Sequence, residues 1–328
     1  MKICIIGAGA IGGMLAVRLA DSGAKVSVVA RGTQLAAIRA SGLTLIEADG
    51  SRRQATMAAD RDISTLGPQD AIILAVKAHQ LADACEGVAH ALAPEGFVVT
   101  AQNGVPWWYF EKLASAFAGR RVESVDPGGR IAAALPIDRV IGAVVYPAAE
   151  IERPGVIRHI EGLRFSLGEI DGVASTRASR LSEALRAAGF KAPVIADIRS
   201  EIWTKLWGNL AFNPISALTR ATLAQICANE DTRLLAANMM REAQAVAEKL
   251  GVRFRIPLEK RLQGAAEVGE HKTSMLQDLE AGRAMEVDAL VAAVAEIGRW
   301  TNTSTPHIDA VLACVRLLAQ TPASRAPV

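Results

Sequence analysis

Two short stretches carry residue types whose spacing could do chemistry. The first is Gly7-Ala8-Gly9-Ala10-Ile11-Gly12, preceded by an apolar run over 2–6 and followed by a helical pattern and a second apolar run over 25–30. Strand, glycine turn, helix and strand within about 30 residues is the setting in which GxGxxG cradles a dinucleotide pyrophosphate. Gly7 allows the tight turn, Gly9 lets a phosphate approach the backbone, and Gly12 lets helix and sheet pack closely. The start of the helix adds unpaired N–H groups and the positive end of its dipole. An NAD site carries an acid for the ribose 2′-OH at the end of the second strand. Here that strand closes Val28-Val29-Ala30 and is followed by Arg31. A guanidinium can grip a 2′-phosphate bidentately, so NADP(H) is the expected cofactor.

The second stretch is Lys205-x-x-x-Asn209-x-x-x-Asn213-Pro214. Lys205 and Asn209 stand at i and i+4 and share a helix face. Asn213 extends the stripe if the helix stays straight, which Pro214 discourages in the residue before it. Two Asn and a Gly inside a helix cost propensity, which favours a functional stripe over a solvated Lys/Asn face. Lys77 and Asn103 lie just past apolar runs over 71–76 and 97–100. In an open α/β sheet, ligands bind at such carboxyl ends.

The elements that must position these groups define the fold class. It is α/β, with an N-terminal Rossmann-type doubly wound sheet and a second, all-helical C-terminal domain. Residues 33–39 read as a short helix. Runs over 43–47 and 52–57 flank an Asp49-Gly50 hairpin signal, and 78–91 reads as helix. Strands over 140–146, 156–160 and 164–167 form the second half of the sheet, partly antiparallel, before a helix over 176–188. Beyond residue 200 the pattern is helical over 200–213, 222–228, 231–250, 257–266, 274–281, 284–300 and 306–319. The switch from strand–helix alternation to pure helix divides residues 1–196, an NADP-binding domain, from 197–328, a substrate and catalytic domain. The tail over 321–328 reads as frayed.

Lys and Arg number 36 against 34 Asp and Glu, a net charge of +2, with no basic tract, so neither nucleic acid nor an anionic membrane is an expected partner. The apolar stretch over 3–17 resembles the core of a signal peptide, but its glycines fall in the dinucleotide register, and a buried parallel strand explains its hydrophobicity. No other run suggests a membrane span. Four scattered cysteines without a CxxC pair fit a reducing compartment and no metal is expected. The expected location is cytoplasmic.

Over nearly its whole length the chain resembles the ketopantoate reductases (2-dehydropantoate 2-reductases). The resemblance rests on the glycine motif, Arg31, Val76-Lys77, Gln102-Asn103-Gly104, the Lys205/Asn209/Asn213-Pro214 helix, and Ser274-Met275-Leu276-Gln277-Asp278 followed by Glu286-Val287-Asp288. It implies NADPH-dependent reduction of ketopantoate to D-pantoate, on the route to pantothenate. By motif match, Gly7, Ala8, Gly9, Ala10, Ile11, Gly12, Arg31, Lys77 and Asn103 would face the cofactor, with Asn103 also near the substrate. Lys205 would be the general acid, and Glu286 would hold a substrate hydroxyl and could orient Lys205. Asn209, Asn213 and Ser274 would hold the substrate's remaining polar groups. Lys205 is expected across a cleft from the strand ends that carry Lys77 and Asn103. Ser274 with Gln277 also reads as a capping box, and Glu286 as a first-turn acid answering a helix dipole. The chain departs from the family at His271, where an Asn is frequent, around Thr222-Leu223, and in the bulk of Trp107-Trp108. These differences bear on which 2-oxo acid fits. Alternatives are a reductase of another branched 2-oxo acid and an NADP-sensing regulator without chemistry. The regulator would have lost the Lys/Asn helix or Glu286, and both are present. A homodimer is a further expectation, which the sequence does not fix.

Overall fold

The computed structural model describes residues 1–321, so most of the 321–328 tail lies outside the described residues. Two compact units are present: one of Met1–Gln102, Pro106–Arg121 and Gly128–Ile198, the other of Asn103–Val105, Val122–Pro127 and the chain from Arg199 onward.

The strands of the first unit are β1 (Lys2–Ile6), β2 (Lys25–Val29), β3 (Leu43–Ile46), β4 (Arg52–Ala55), β5 (Ala58–Asp60), β6 (Gln69–Leu74), β7 (Leu92–Thr100), β8 (Val140–Val145), β9 (Ala148–Arg153), β10 (Val156–Glu161) and β11 (Phe165–Glu169). Seven of them form one sheet in the order β11-β8-β7-β6-β1-β2-β5. All its pairings are parallel except β8 with β11. Strand order therefore reverses beside β1, where β2 lies on one side and β6 on the other. That reversal is the switch point at which open α/β sheets bind ligands. β1 and β6 are buried almost throughout, as apolar runs without alternation require.

The remaining strands form a separate four-stranded sheet, β4-β3-β10-β9. This corrects the expectation that 156–160 continues the main sheet. The Asp49-Gly50 hairpin is present between β3 and β4, and β10 adds to β3 in parallel instead. The helix expected over 78–91 is also shorter. A 3₁₀ turn at Ala78–Gln80 leads into one helical turn at Leu81–Ala84, and Gly87 at φ +74° ends any continuation.

The second sheet explains the first helix, Ala10–Asp21. Its residues from Gly12 to Leu19 are all buried. A helix hydrophobic all round needs cover on all sides, and this one packs on β1 and β2 as well as on β3, β4, β9 and β10. At Gly13 an added Cβ would come within 2.7 Å of the Ile157 side chain in β10. The one charge in this stretch, Arg18, is 8% exposed and meets Glu47, 6% exposed, at 2.5 Å. Glu47 also faces His159 Nδ1 at 3.2 Å and Arg53 Nε at 2.9 Å, so the pair ties helix to second sheet.

The second unit is helical from Arg199 through the described residues. The helix that carries the Lys/Asn stripe belongs to Ile198–Thr219 and runs through Pro214, which was expected to disturb it. An internal proline costs about 3 kcal/mol or more, and packing offsets it here: Leu210, Ala211, Phe212, Ile215 and Ala217 are all at most 3% exposed. Helices follow at Leu223–Ala228, Glu230–Lys249, Leu258–Glu267, Ser274–Glu280 and Pro306–Gln320. Between the last two, the element expected over 284–300 starts later and is interrupted: a π turn, Asp288–Ala292, precedes Ala293–Trp300. No helix among the described residues is long and apolar enough to cross a membrane.

Removing one partner of a buried ion pair leaves the other charge buried and uncompensated. Glu47→Ala should therefore lower stability to urea unfolding by about 3–5 kcal/mol. A loss below about 1 kcal/mol would class the pair with solvated surface bridges.

Candidate functional site

In the first unit, Gly7 leaves β1 at φ +98°, and an added Cβ would strike Val76 at 2.7 Å. Gly12 is fixed by the same turn, since a Cβ there would sit 2.0 Å from the Gly7 carbonyl oxygen. Gly9, at the helix start, has nothing within 4 Å of an added Cβ. What Gly9 provides is open space at a helix N-terminus. That space belongs to a cavity of about 710 Å³ lined by Gly7, Ala8, Gly9, Arg31, Arg61 and Ser64 among others. Ala10, Ile11, Gly12 and Lys77 do not line it. Lys77 is part-buried at the turn after β6, next to Val76, which does line it.

Two residues of this cavity were not read from the sequence. Arg61 follows β5, a three-residue strand too short to stand out, which pairs in parallel with β2 so that Asp60 lies opposite Val29. Arg31 and Arg61 thus emerge past the carboxyl ends of neighbouring strands. Gln34 donates to the Ala8 carbonyl at 2.7 Å and accepts from Gly155 N–H at 2.9 Å, which holds the glycine turn. Nothing local in the sequence marks a Gln for that role. The glycine turn and the helix start fit a dinucleotide pyrophosphate, and both guanidiniums line the same cavity.

In the second unit, Lys205 Nζ donates to Asn103 Oδ1 at 2.6 Å, although 102 positions separate them. Burial pushes the Lys205 ammonium down from 10.5 to about 8, and the nearby Glu286 carboxylate works against that fall. Glu286 is 6% exposed. It immediately precedes the helix that begins at Val287, so it is not the first-turn acid that the sequence allowed. The supporting helix is locked by Trp207, fully buried, whose Nε1 donates to the Met240 carbonyl at 2.7 Å and whose ring packs on Phe254 at 4.4 Å.

Asn213 keeps to the helical stripe with Lys205 and Asn209, because the helix is continuous through Pro214. Ser274 does not cap its helix. Thr273 does, accepting from Leu276 N–H, which leaves the exposed Ser274 hydroxyl out of the cap. The departures at Thr222 and Trp108 have structural roles. Thr222 forms a capping box with Gln225. Trp108 is buried, donates to Thr100 Oγ1 at 2.8 Å and lies on Gly142, where a Cβ would be 2.7 Å from its ring.

The family profile for ketopantoate reductase PanE/ApbA matches residues 3–172, and that for its C-terminal part matches residues 197–319. The chain belongs to this family. It is 58% identical over 320 residues to the 2-dehydropantoate 2-reductase of Mesorhizobium japonicum, covering 97% of this chain and 98% of that one. A crystal structure of a ketopantoate reductase candidate from Ralstonia solanacearum MolK2 superposes with a TM-score of 0.92 at 42% identity, covering 97% of each chain. The 2-dehydropantoate 2-reductase structure from Methylococcus capsulatus gives 0.83 at 28% identity, covering 99% of each.

Side-chain NMR of isotope-labelled lysines should find Lys205 titrating near pH 8. Glu286→Gln removes the charge that favours the ammonium, so the midpoint should fall further. A midpoint at the ordinary lysine value, or an upward move in Glu286→Gln, would contradict this electrostatic picture.

Proposed function

We propose that this chain reduces 2-dehydropantoate to pantoate, with NADPH as the preferred reductant. The observation that carries the reading is the half-buried Lys205, hydrogen-bonded to Asn103 and within the field of Glu286, in a member of the ketopantoate reductase family. A bound nicotinamide cofactor would supply the hydride for the ketone carbon. As that carbon gains the electron pair, the carbonyl oxygen takes up negative charge, and an ammonium within hydrogen-bond reach stabilises and then protonates it. With its titration near 8, Lys205 is largely charged at neutral pH yet gives up its proton more readily than an exposed lysine. Glu286 suits a substrate hydroxyl as acceptor and holds the ammonium in place. Asn209, Asn213 and Ser274 offer donors for carboxylate and hydroxyl oxygens. Gly7 and Gly9 at the helix start would hold the pyrophosphate, and Arg31 with Arg61 the 2′-phosphate.

NADPH consumption against a panel of 2-oxo acids tests the substrate. The highest kcat/KM should fall to ketopantoate, and a higher value for another 2-oxo acid would overturn the assignment. Lys205→Ala should lower kcat by roughly 10²–10⁴-fold, the usual worth of general acid catalysis, with NADPH affinity retained. Arg31→Ala and Arg61→Ala should each weaken NADPH by roughly 10–100-fold, as expected for a lost charged hydrogen bond, while NADH binding changes little. Equal losses for both cofactors would remove the 2′-phosphate role.

A further inference from the structure

The π turn at Asp288–Ala292 has a specific consequence for one carbonyl. In an uninterrupted α-helix the Ala293 N–H would bond to the carbonyl of Ala289. Here it bonds to Asp288 instead, one residue further back. The Ala289 carbonyl accepts from Val105 N–H at 2.9 Å. The neighbouring Gly104 has φ +89°, and an added Cβ would lie 2.3 Å from the same Ala289 oxygen. The preceding residue is Asn103, which receives the Lys205 ammonium. Glu286 stands three residues before Ala289, immediately ahead of the same helix. A second segment, residues 122–127, is fixed to the continuation of this helix. Glu296 accepts from the backbone N–H groups of Glu123 and Ser124 at 2.8 and 2.9 Å and from the Ser124 hydroxyl at 2.7 Å.

We propose that the π turn is a docking site for the 103–105 loop, and that Gly104 and Ala289 are positioning residues that set Asn103, Lys205 and Glu286 in register. This rests on the reading of Lys205 as proton donor. The physical argument is that inside a regular helix each carbonyl already accepts from the N–H four residues on, whereas one extra residue in the turn releases one from that bond. The loop can approach that closely only where it has no Cβ. Asn103 is thereby held at a fixed offset from Glu286, and both act on the same ammonium, one as hydrogen-bond acceptor and one as counter-charge. Turns of this kind recur at functional sites because helix packing alone gives them no advantage.

The test combines a mutant cycle with a titration. Gly104→Ala should leave NADPH affinity near wild type and lower kcat by about 10²-fold, the scale of a displacement near 1 Å in a catalytic group. In an Asn103→Ala background it should cost little more, because residues acting as one unit are not additive. Lys205 should titrate at lower pH in Asn103→Ala and in Gly104→Ala, since the amide oxygen favours the charged amine. Deleting Ala289, which removes the docking carbonyl and restores a continuous helix while leaving the sequence of the loop intact, should give the same shift if Gly104→Ala does not fold. An unchanged Lys205 midpoint in Asn103→Ala, or Gly104 and Asn103 losses that multiply independently, would overturn the proposal. The titration needs no substrate. A wild-type protein inactive on ketopantoate would therefore refute the substrate assignment while the docking proposal is still judged by the lysine midpoint.

Discussion

The second unit depends on keeping one ammonium charged while shielding it from water. Burial holds Lys205 down to about 8, the Glu286 carboxylate favours its charged form, and its Nζ donates to the Asn103 oxygen at 2.6 Å. Its folded pKa lies below the unfolded value of 10.5, so the group costs stability. The penalty is fully present below about pH 8 and is relieved as pH rises from there toward 10.5, because the unfolded chain then binds the extra proton. The surrounding helix absorbs that cost. Trp203 and Trp207, both fully buried, and the apolar residues around Pro214 fix the helix so that the polar stripe has one direction to face.

The first unit solves a different problem, that of leaving room. A Cβ on Gly12 would strike the Gly7 carbonyl and one on Gly7 would strike Val76, so neither tolerates a side chain, whereas Gly9 faces an opening. The helix that follows is buried on every side because a second sheet covers the face the main sheet does not. The Arg18–Glu47 pair fixes that cover in place. Glycine turn, Arg31 and Arg61 consequently line one cavity.

Much of this was legible in the sequence where a local pattern had one physical solution. The strand-turn-helix setting of GxGxxG, the buried runs over 71–76 and 97–100, and the helical second half belong to that kind. The Lys205/Asn209 face followed from helical periodicity alone. What was not legible depends on partners distant in the chain. β5 has three residues and no periodicity to detect, so Arg61 was missed. Sheet membership of β10 is decided by β3 more than a hundred positions away. The continuation through Pro214 reflects burial outweighing a local penalty, and the cap at Thr273 rather than Ser274 is a one-residue choice among equivalent hydroxyls. The π turn left no composition signal, because an extra Ala among Val and Ala residues looks like any buried helix.

The most direct measurement of the central claim is the rate of a single hydride transfer as a function of pH. Wild-type protein loaded with NADPH would be mixed rapidly with excess ketopantoate, and the decay of the reduced nicotinamide followed. If Lys205 donates the proton as hydride arrives, the transfer rate should fall as pH rises through about 8, the point at which the ammonium is lost. A transfer rate that stays level through that range and beyond, with the protein still folded and saturated, would contradict the account.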